Sequence, residues 1–201
     1  MIKKIAITSQ EISPIIAKRW SPRSFNFDKK VTIEQLISIA EAGRWAASAS
    51  NEQPWNVIFV NKDIDKESYD KVFNSLAGGN QLWCKNSPCF GVVIARTVNE
   101  VKGTPNAWAG FDCGSALTSM MLQATELGLS THPMAGFDES KVIESFDIPE
   151  NHKVYAIFAL GYQDDENKLD EPFLSREKAE RTRKDLNDNF YFGAWAKGIS
   201  E

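Results

Sequence analysis

Lys18-Arg19-Trp20-Ser21-Pro22-Arg23-Ser24-Phe25 packs three cations and two hydroxyls into eight positions of a chain whose formal net charge is -4. A local basic cluster in an acidic chain asks for a local anion, and arginine forks with serine hydroxyls suit phosphate oxygens. Pro22 fixes one backbone dihedral and stops a helix from running through the cluster. The same charges also fit a solvated helix end, with Lys18 and Arg19 facing the negative end of a helix dipole. The residues upstream leave both readings open: Ser13-Pro14 looks like an N-cap followed by proline at the first helical position, and Ile15, Ile16 and Ala17 lead straight into the cluster.

Composition sets the outer limits. A chain of 201 residues defaults to one domain, residues 1–201, with enough length for a real core. The acidic pI of about 5.4 argues against a nucleic-acid partner. No apolar run approaches the roughly 20 residues of a membrane span, and the start has no long apolar core of a signal peptide. Cys84, Cys89 and Cys113 stand at no metal or redox spacing and read as reduced thiols of a cytoplasmic protein. His132 and His152 are too few for a histidine metal site, so no metal is expected.

The second informative stretch is Ala47-Ser48-Ala49-Ser50-Asn51-Glu52-Gln53-Pro54-Trp55, and the third is Arg181-Thr182-Arg183. Read alone, Ala47 to Gln53 is a loop of small residues that Asn51 and Gln53 could cap, or a backbone that approaches a flat ligand closely. Taken together, R-x-S-x-R, then S-x-x-N-x-Q-P-W, then R-x-R resembles the FMN-dependent nitroreductase family over about Ile12 to Trp195.

The elements between these motifs follow from periodicity. Thr32-Ile33-Glu34-Gln35 fits a capping box and opens a helix to about Gly43 or Trp45. Trp55 to Val60 reads as a strand, Asp63 to Leu76 as an exposed helix, and Gly78 to Trp83 as a loop entering a short turn. Phe90 to Ala95 is apolar enough for a central strand. Asn106 to Leu127 is the longest helix, with an apolar stripe through Cys113, Ala116, Met120 and Ala124 and with Asp112 on another face; Gly128 stops it. Ser130 to Gly136 and Lys153 to Tyr162 are strands, and Asp138 starts a helix between them. The tail from Gln163 is polar and carries an aromatic patch at Phe190, Tyr191, Phe192 and Trp195. Helices alternating with strands give α/β or α+β from composition alone.

The resemblance implies more. It implies an α+β fold with a central mixed β-sheet flanked by helices, a long helix in a homodimer interface, and a C-terminal tail wrapping the partner subunit. It implies FMN as cofactor and NAD(P)H as donor, with hydride passing by a ping-pong cycle to a nitroaromatic, a quinone or a similar small acceptor. Cofactor positions carried over are Arg19, Trp20, Ser21, Arg181 and Arg183 around the phosphate, and Arg23 beside N1 and the C2 carbonyl. Asn80 matches the ring's polar edge, Trp83 lies nearby, and the Ala135-Gly136 backbone stands beside N5. Ala47, Ser48, Ser50 and Asn51 match the segment reaching the flavin from the partner. No side chain is implied as a catalytic acid or base, because the cofactor performs the hard step. The chain departs from the family at Ala135, where glutamate is common, at Trp83, often lysine in one branch, at Ala47, commonly proline, and at Pro22. A flavin carrier or sensor, or a dehalogenase-like or flavin-cleaving branch, is the competing reading.

Overall fold

The computed structural model describes residues 1–200. Its centre is β2 (Cys89–Arg96), in which every residue but Arg96 is buried. A strand hidden on both faces needs apolar residues at odd and even positions alike, and Cys-Phe-Gly-Val-Val-Ile-Ala supplies them. β1 (Trp55–Asn61) pairs with one edge of β2 and β4 (His152–Gly161) with the other, while β3 (Ser130–Met134) pairs with β4. The order is β1-β2-β4-β3.

All three pairings are antiparallel, which corrects the expectation of a mixed sheet within the chain. Alternation of strands and helices suggests parallel crossovers, but sequence order does not say which strands become neighbours. Here β3 is separated from β2 by β4, so the helix between β2 and β3 spans a non-adjacent pair.

Each face of the sheet builds its own core. On one side Phe90, Val92 and Ile94 meet Val72, Leu76, Trp83 and Val142, brought by α3 (Lys66–Ser75), α4 (Gly78–Cys84) and α6 (Glu139–Ser145). On the other, Val93 and Ala95 meet Ile39, Cys113 and Met120 from α2 (Ile33–Arg44) and α5 (Ala109–Glu126). Gly91 lies under the Phe158 ring; a Cβ there would sit 2.2 Å from it, so the glycine is required by close approach.

Local sequence explains most helix ends. The capping box is present: Thr32 N–H donates to Gln35 Oε1 at 3.0 Å and Gln35 N–H to Thr32 Oγ1 at 3.3 Å, a motif contributing about 1 kcal/mol. Asp65 and Asp138 cap α3 and α6. Gly128, at φ 74°, ends the long helix. The short α1 (Pro14–Lys18) carries proline in its first turn, although the Ser13 side chain makes no cap bond.

Two further expectations are overturned. Gly78 to Trp83 is helical, not a loop. Two glycines cost about 2 kcal/mol of helix propensity, but the helix buries Trp83 and Cys84 to 3% and 0% exposure, and a buried tryptophan outweighs that. Asp112, expected on the polar face of α5, is 1% exposed. The tail follows α7 (Phe173–Lys178) and presents Phe190, Phe192 and Trp195 to solvent. Among the described residues no helix is long and apolar enough to cross a membrane, and no cluster of His, Cys, Asp and Glu could hold a metal.

Candidate active site

Arginines from both ends of the chain converge at the C-terminus of α1. The Arg19 N–H closes that helix on Ile15 O at 3.0 Å, and its guanidinium donates to Ser21 Oγ at 3.2 Å. Arg181 reaches back to Ala17 O at 3.1 Å and to Lys4 O at 2.6 Å. Lys4 in turn donates to Ala179 O and lies 4.8 Å above the Trp20 ring. Burial lowers the pKa of Arg19, and the positive charges of Arg181 and Arg183 lower it further. Among the described residues the arginines in ion pairs are Arg23, Arg44 and Arg96, so Arg19, Arg181 and Arg183 gather with no carboxylate between them. Arg19 and Arg181 are half-buried and Arg183 is exposed, and three like charges gathered this way are stabilised by an anion.

Beside this cluster opens a cleft of about 460 Å³. Arg23 forms one wall; the end of β3 at Pro133 and Met134 with the Ala135-Gly136 turn after it, and the helix α4 with Asn80, form others. Asn80 is held by two bonds: its Nδ2 donates to Gly136 O at 2.9 Å, and its Oδ1 accepts from the Trp83 indole N–H at 3.3 Å. One amide N–H of Asn80 is left to serve a ligand. A Cβ on Gly136 would approach Asn80 Nδ2 to 2.9 Å, so glycine is needed for this contact. Trp83 itself lies between Phe25 and His132, with ring centroids 6.4 and 4.4 Å away. Its burial makes it the floor of the cleft rather than a free stacking face.

Four contributors to the site were not foreseen. His132 on β3 sits 2.9 Å from Pro22 O through Nδ1; since a carbonyl only accepts, Nδ1 carries the proton. Burial pushes its pKa down to about 4, and the cations Arg23 and Arg19 act in the same direction. The Pro22 carbonyl is thus a fixed point of the basic loop. Glu177, fully buried on α7, accepts the backbone N–H of Arg23 at 3.0 Å and of Ser24 at 3.4 Å, and lies 3.9 Å from the Arg23 guanidinium. Burial raises its pKa, opposed by those N–H groups and by Arg23 and Lys4. Phe173 and Arg176 of α7 close the remaining side of the cleft. His132 and Glu177 lack a motif because their partners lie 110 and 154 positions away.

Ala47, Ser48, Ser50 and Asn51 do not line the cleft. They form a tight turn with a single 3-10 helical turn at Ala49–Asn51. Ser50, Asn51 and Gln53 all have positive φ, at 53°, 56° and 46°, a conformation costing roughly 1 kcal/mol or more per residue. Ser48 Oγ accepts Gln53 N–H at 3.1 Å, and the buried Asp112 carboxylate accepts Ala49 N–H. A strained, exposed turn is thereby held from inside.

The sequence model of the nitroreductase family matches residues 16–82 and 79–162. A crystal structure described as an oxidoreductase containing FMN superposes with a TM-score of 0.86 at 33% identity, covering 95% of this chain and 96% of that one. A nitroreductase family protein of Clostridium difficile superposes with a TM-score of 0.69 at 25% identity, covering 90% and 96%. A protein of Archaeoglobus fulgidus, provisionally named an NADH dehydrogenase/NAD(P)H nitroreductase, is 28% identical over 161 residues, 78% of this chain and 88% of its own length.

Proposed function

Because the chain belongs to the nitroreductase family, we propose that it is an FMN-dependent oxidoreductase that draws electrons from NAD(P)H and delivers them to quinones, nitroaromatics or related acceptors. The observation that carries the reading is the gathering of Arg19, Arg181 and Arg183, without a carboxylate, next to a cleft floored by Trp83 and walled by Arg23 and Asn80. The residues present fit the cofactor. An uncompensated cation cluster suits a phosphate dianion, each charge-assisted bond contributing about 1.5–3 kcal/mol. A cleft of about 460 Å³ is of a size that accepts a flat ring system.

Bound FMN supplies hydride acceptance and donation at N5. The chain's own groups do the rest. Arg19, Ser21, Arg181 and Arg183 hold the phosphate. Arg23 stands by for the negative charge that a reduced flavin gathers at N1 and the C2 carbonyl. Asn80 offers its spare amide N–H to the ring's edge, and the Ala135-Gly136 backbone serves N5 in place of any carboxylate. His132 stays neutral and braces the Pro22 carbonyl, which fixes where Arg23 starts. The exposed turn Ala47 to Asn51 and the aromatic tail suit a homodimer in which each serves the partner's site, and reduced thiols fit a cytoplasmic location. Donor and acceptor take turns at the one bound flavin.

Acid release and chromatography of the copurified chromophore test the cofactor: FMN supports the reading, and recovered FAD or a colourless protein that cannot be reconstituted rejects it. Steady-state NAD(P)H oxidation with a quinone tests the turnover. Parallel double-reciprocal lines are expected, whereas intersecting lines mean that both molecules occupy the cleft together.

A further inference from the structure

The charged side chains lining the cleft are Arg23 and Arg176, and no carboxylate faces it. The two arginines are not equivalent. Arg23 is already answered: Glu177 lies 3.9 Å from its guanidinium and is fully buried beneath it. Arg176 is exposed, and among the described residues its guanidinium has neither an ion pair nor a hydrogen bond. Its one aromatic neighbour is Phe173, with the ring 5.7 Å from Cζ, which keeps the arginine against the cleft wall. Of the acids nearby in sequence, Glu177 is engaged with the Arg23 backbone and Glu171 accepts from Ser175 Oγ at 2.8 Å, while Glu180, four positions on, makes no ion pair with Arg176. The turn opposite contributes Ala135, which has no charge to set against Arg176. The cation is therefore uncommitted and lines the cleft.

Resting on the oxidoreductase reading above, we propose that the cleft selects acceptors carrying an anionic group, a carboxylate or sulfonate on a quinone or nitroaromatic ring, and that Arg176 is the residue that recognises that group. An aryl carboxylate matches the arrangement, because its anion meets a planar fork that can take two oxygens at once. Arg23 adds to the attraction from behind but keeps most of its field for its own carboxylate partner. Because Arg176 is exposed, the pair it forms is screened by salt, so selectivity falls as ionic strength rises.

The test compares 4-nitrobenzoate with its neutral near-isostere 4-nitrobenzamide, using flavin-loaded protein at saturating NAD(P)H. The readout is the ratio of the two kcat/KM values, which cancels common changes in donor handling and cofactor content. Arg176→Gln is expected to lower the benzoate-to-benzamide ratio by about tenfold, the effect of one charge-assisted contact. Arg176→Glu is expected to lower it further, and in the unmutated protein raised sodium chloride is expected to move the ratio in the same direction. A ratio that stays put in both variants overturns the assignment. A neutral quinone run alongside separates the two levels. Protein that reduces the quinone yet shows an unmoved ratio loses the anionic preference alone, while protein that reduces no acceptor loses the oxidoreductase reading with it.

Discussion

The carboxylate of Asp112, buried in the first turn of α5, accepts the backbone N–H of Ala49 at 3.2 Å from 63 positions away. That bond ties a turn with three left-handed residues to the longest helix of the molecule. Removing it leaves an unpaired amide and releases the strain. Asp112→Ala is expected to destabilise the fold by about 1–3 kcal/mol, and to loosen flavin retention more than it changes the absorbance spectrum of the flavin that remains. Asp112→Asn keeps the acceptor oxygen and should recover most of both. Denaturant titration and equilibrium dialysis of the variants measure the two effects; an alanine variant with undiminished retention breaks the link between this turn and the cofactor.

Arg23 and Arg183 should separate by what they touch. If Arg23 stands, as proposed, beside the pole of the flavin that becomes negative, Arg23→Ala should make the midpoint potential more negative by roughly 40 mV, taking about 2 kcal/mol for a partly screened cation. Arg183→Ala should weaken FMN binding about tenfold and leave the potential nearly where it was. Spectroelectrochemistry and a binding titration on both variants suffice. Equal responses would show that the two roles are misassigned.

The tail predicts a truncation phenotype. Phe190, Phe192 and Trp195 are 56%, 67% and 87% exposed, an apolar surface that the chain does not cover by itself. Deleting the residues after Leu186 should shift the assembly toward monomer in light scattering and shed FMN. A truncated protein that stays dimeric with full flavin content contradicts the proposed role of the tail.

His132 sets a pH limit. Its pKa falls from 6.5 to about 4 on folding, so between those values the unfolded chain holds a proton that the folded chain refuses. Stability from this group is complete above pH 6.5 and is lost as pH falls toward 4, by at most about 3 kcal/mol. Glu177 runs the other way: its raised pKa makes its share fully present below the ordinary glutamate range and lost as pH rises through the folded value. Denaturant unfolding of wild type and His132→Gln between pH 7 and pH 4 isolates the histidine, since the difference between them should shrink toward the acid end. A constant difference removes His132 from the acid response.

Much of this molecule is written locally. The β2 run, the Thr32–Gln35 box and the Gly128 stop each depend on neighbours a few positions away, and the structure contains all three. The helix Gly78–Cys84 is not legible that way, because its local glycines argue against it and only the distant surfaces that bury Trp83 argue for it. The site divides along the same line. Arg19, Arg23, Arg181 and Arg183 stand in short motifs that can be read, whereas Asn80 and the Ala135-Gly136 turn are reached only through the family resemblance. Asp112 and Glu177 do not, because an acid that satisfies backbone N–H groups 63 or 154 positions away leaves no spacing to read. His132 was visible only as one of two histidines, and its use is set by a proline carbonyl on another loop.

The arginine cluster also dates the moment at which cofactor can be captured. Arg19 leaves the ribosome long before Arg181, which locks onto Ala17 O across 164 residues. Until then the half-site at the end of α1 is one arginine beside a serine, too weak to hold a phosphate against water and salt. If these arginines hold the phosphate as proposed, flavin loading waits for Arg181, and until then a nascent chain must keep its cleft-forming surfaces from aggregating without help from the ligand.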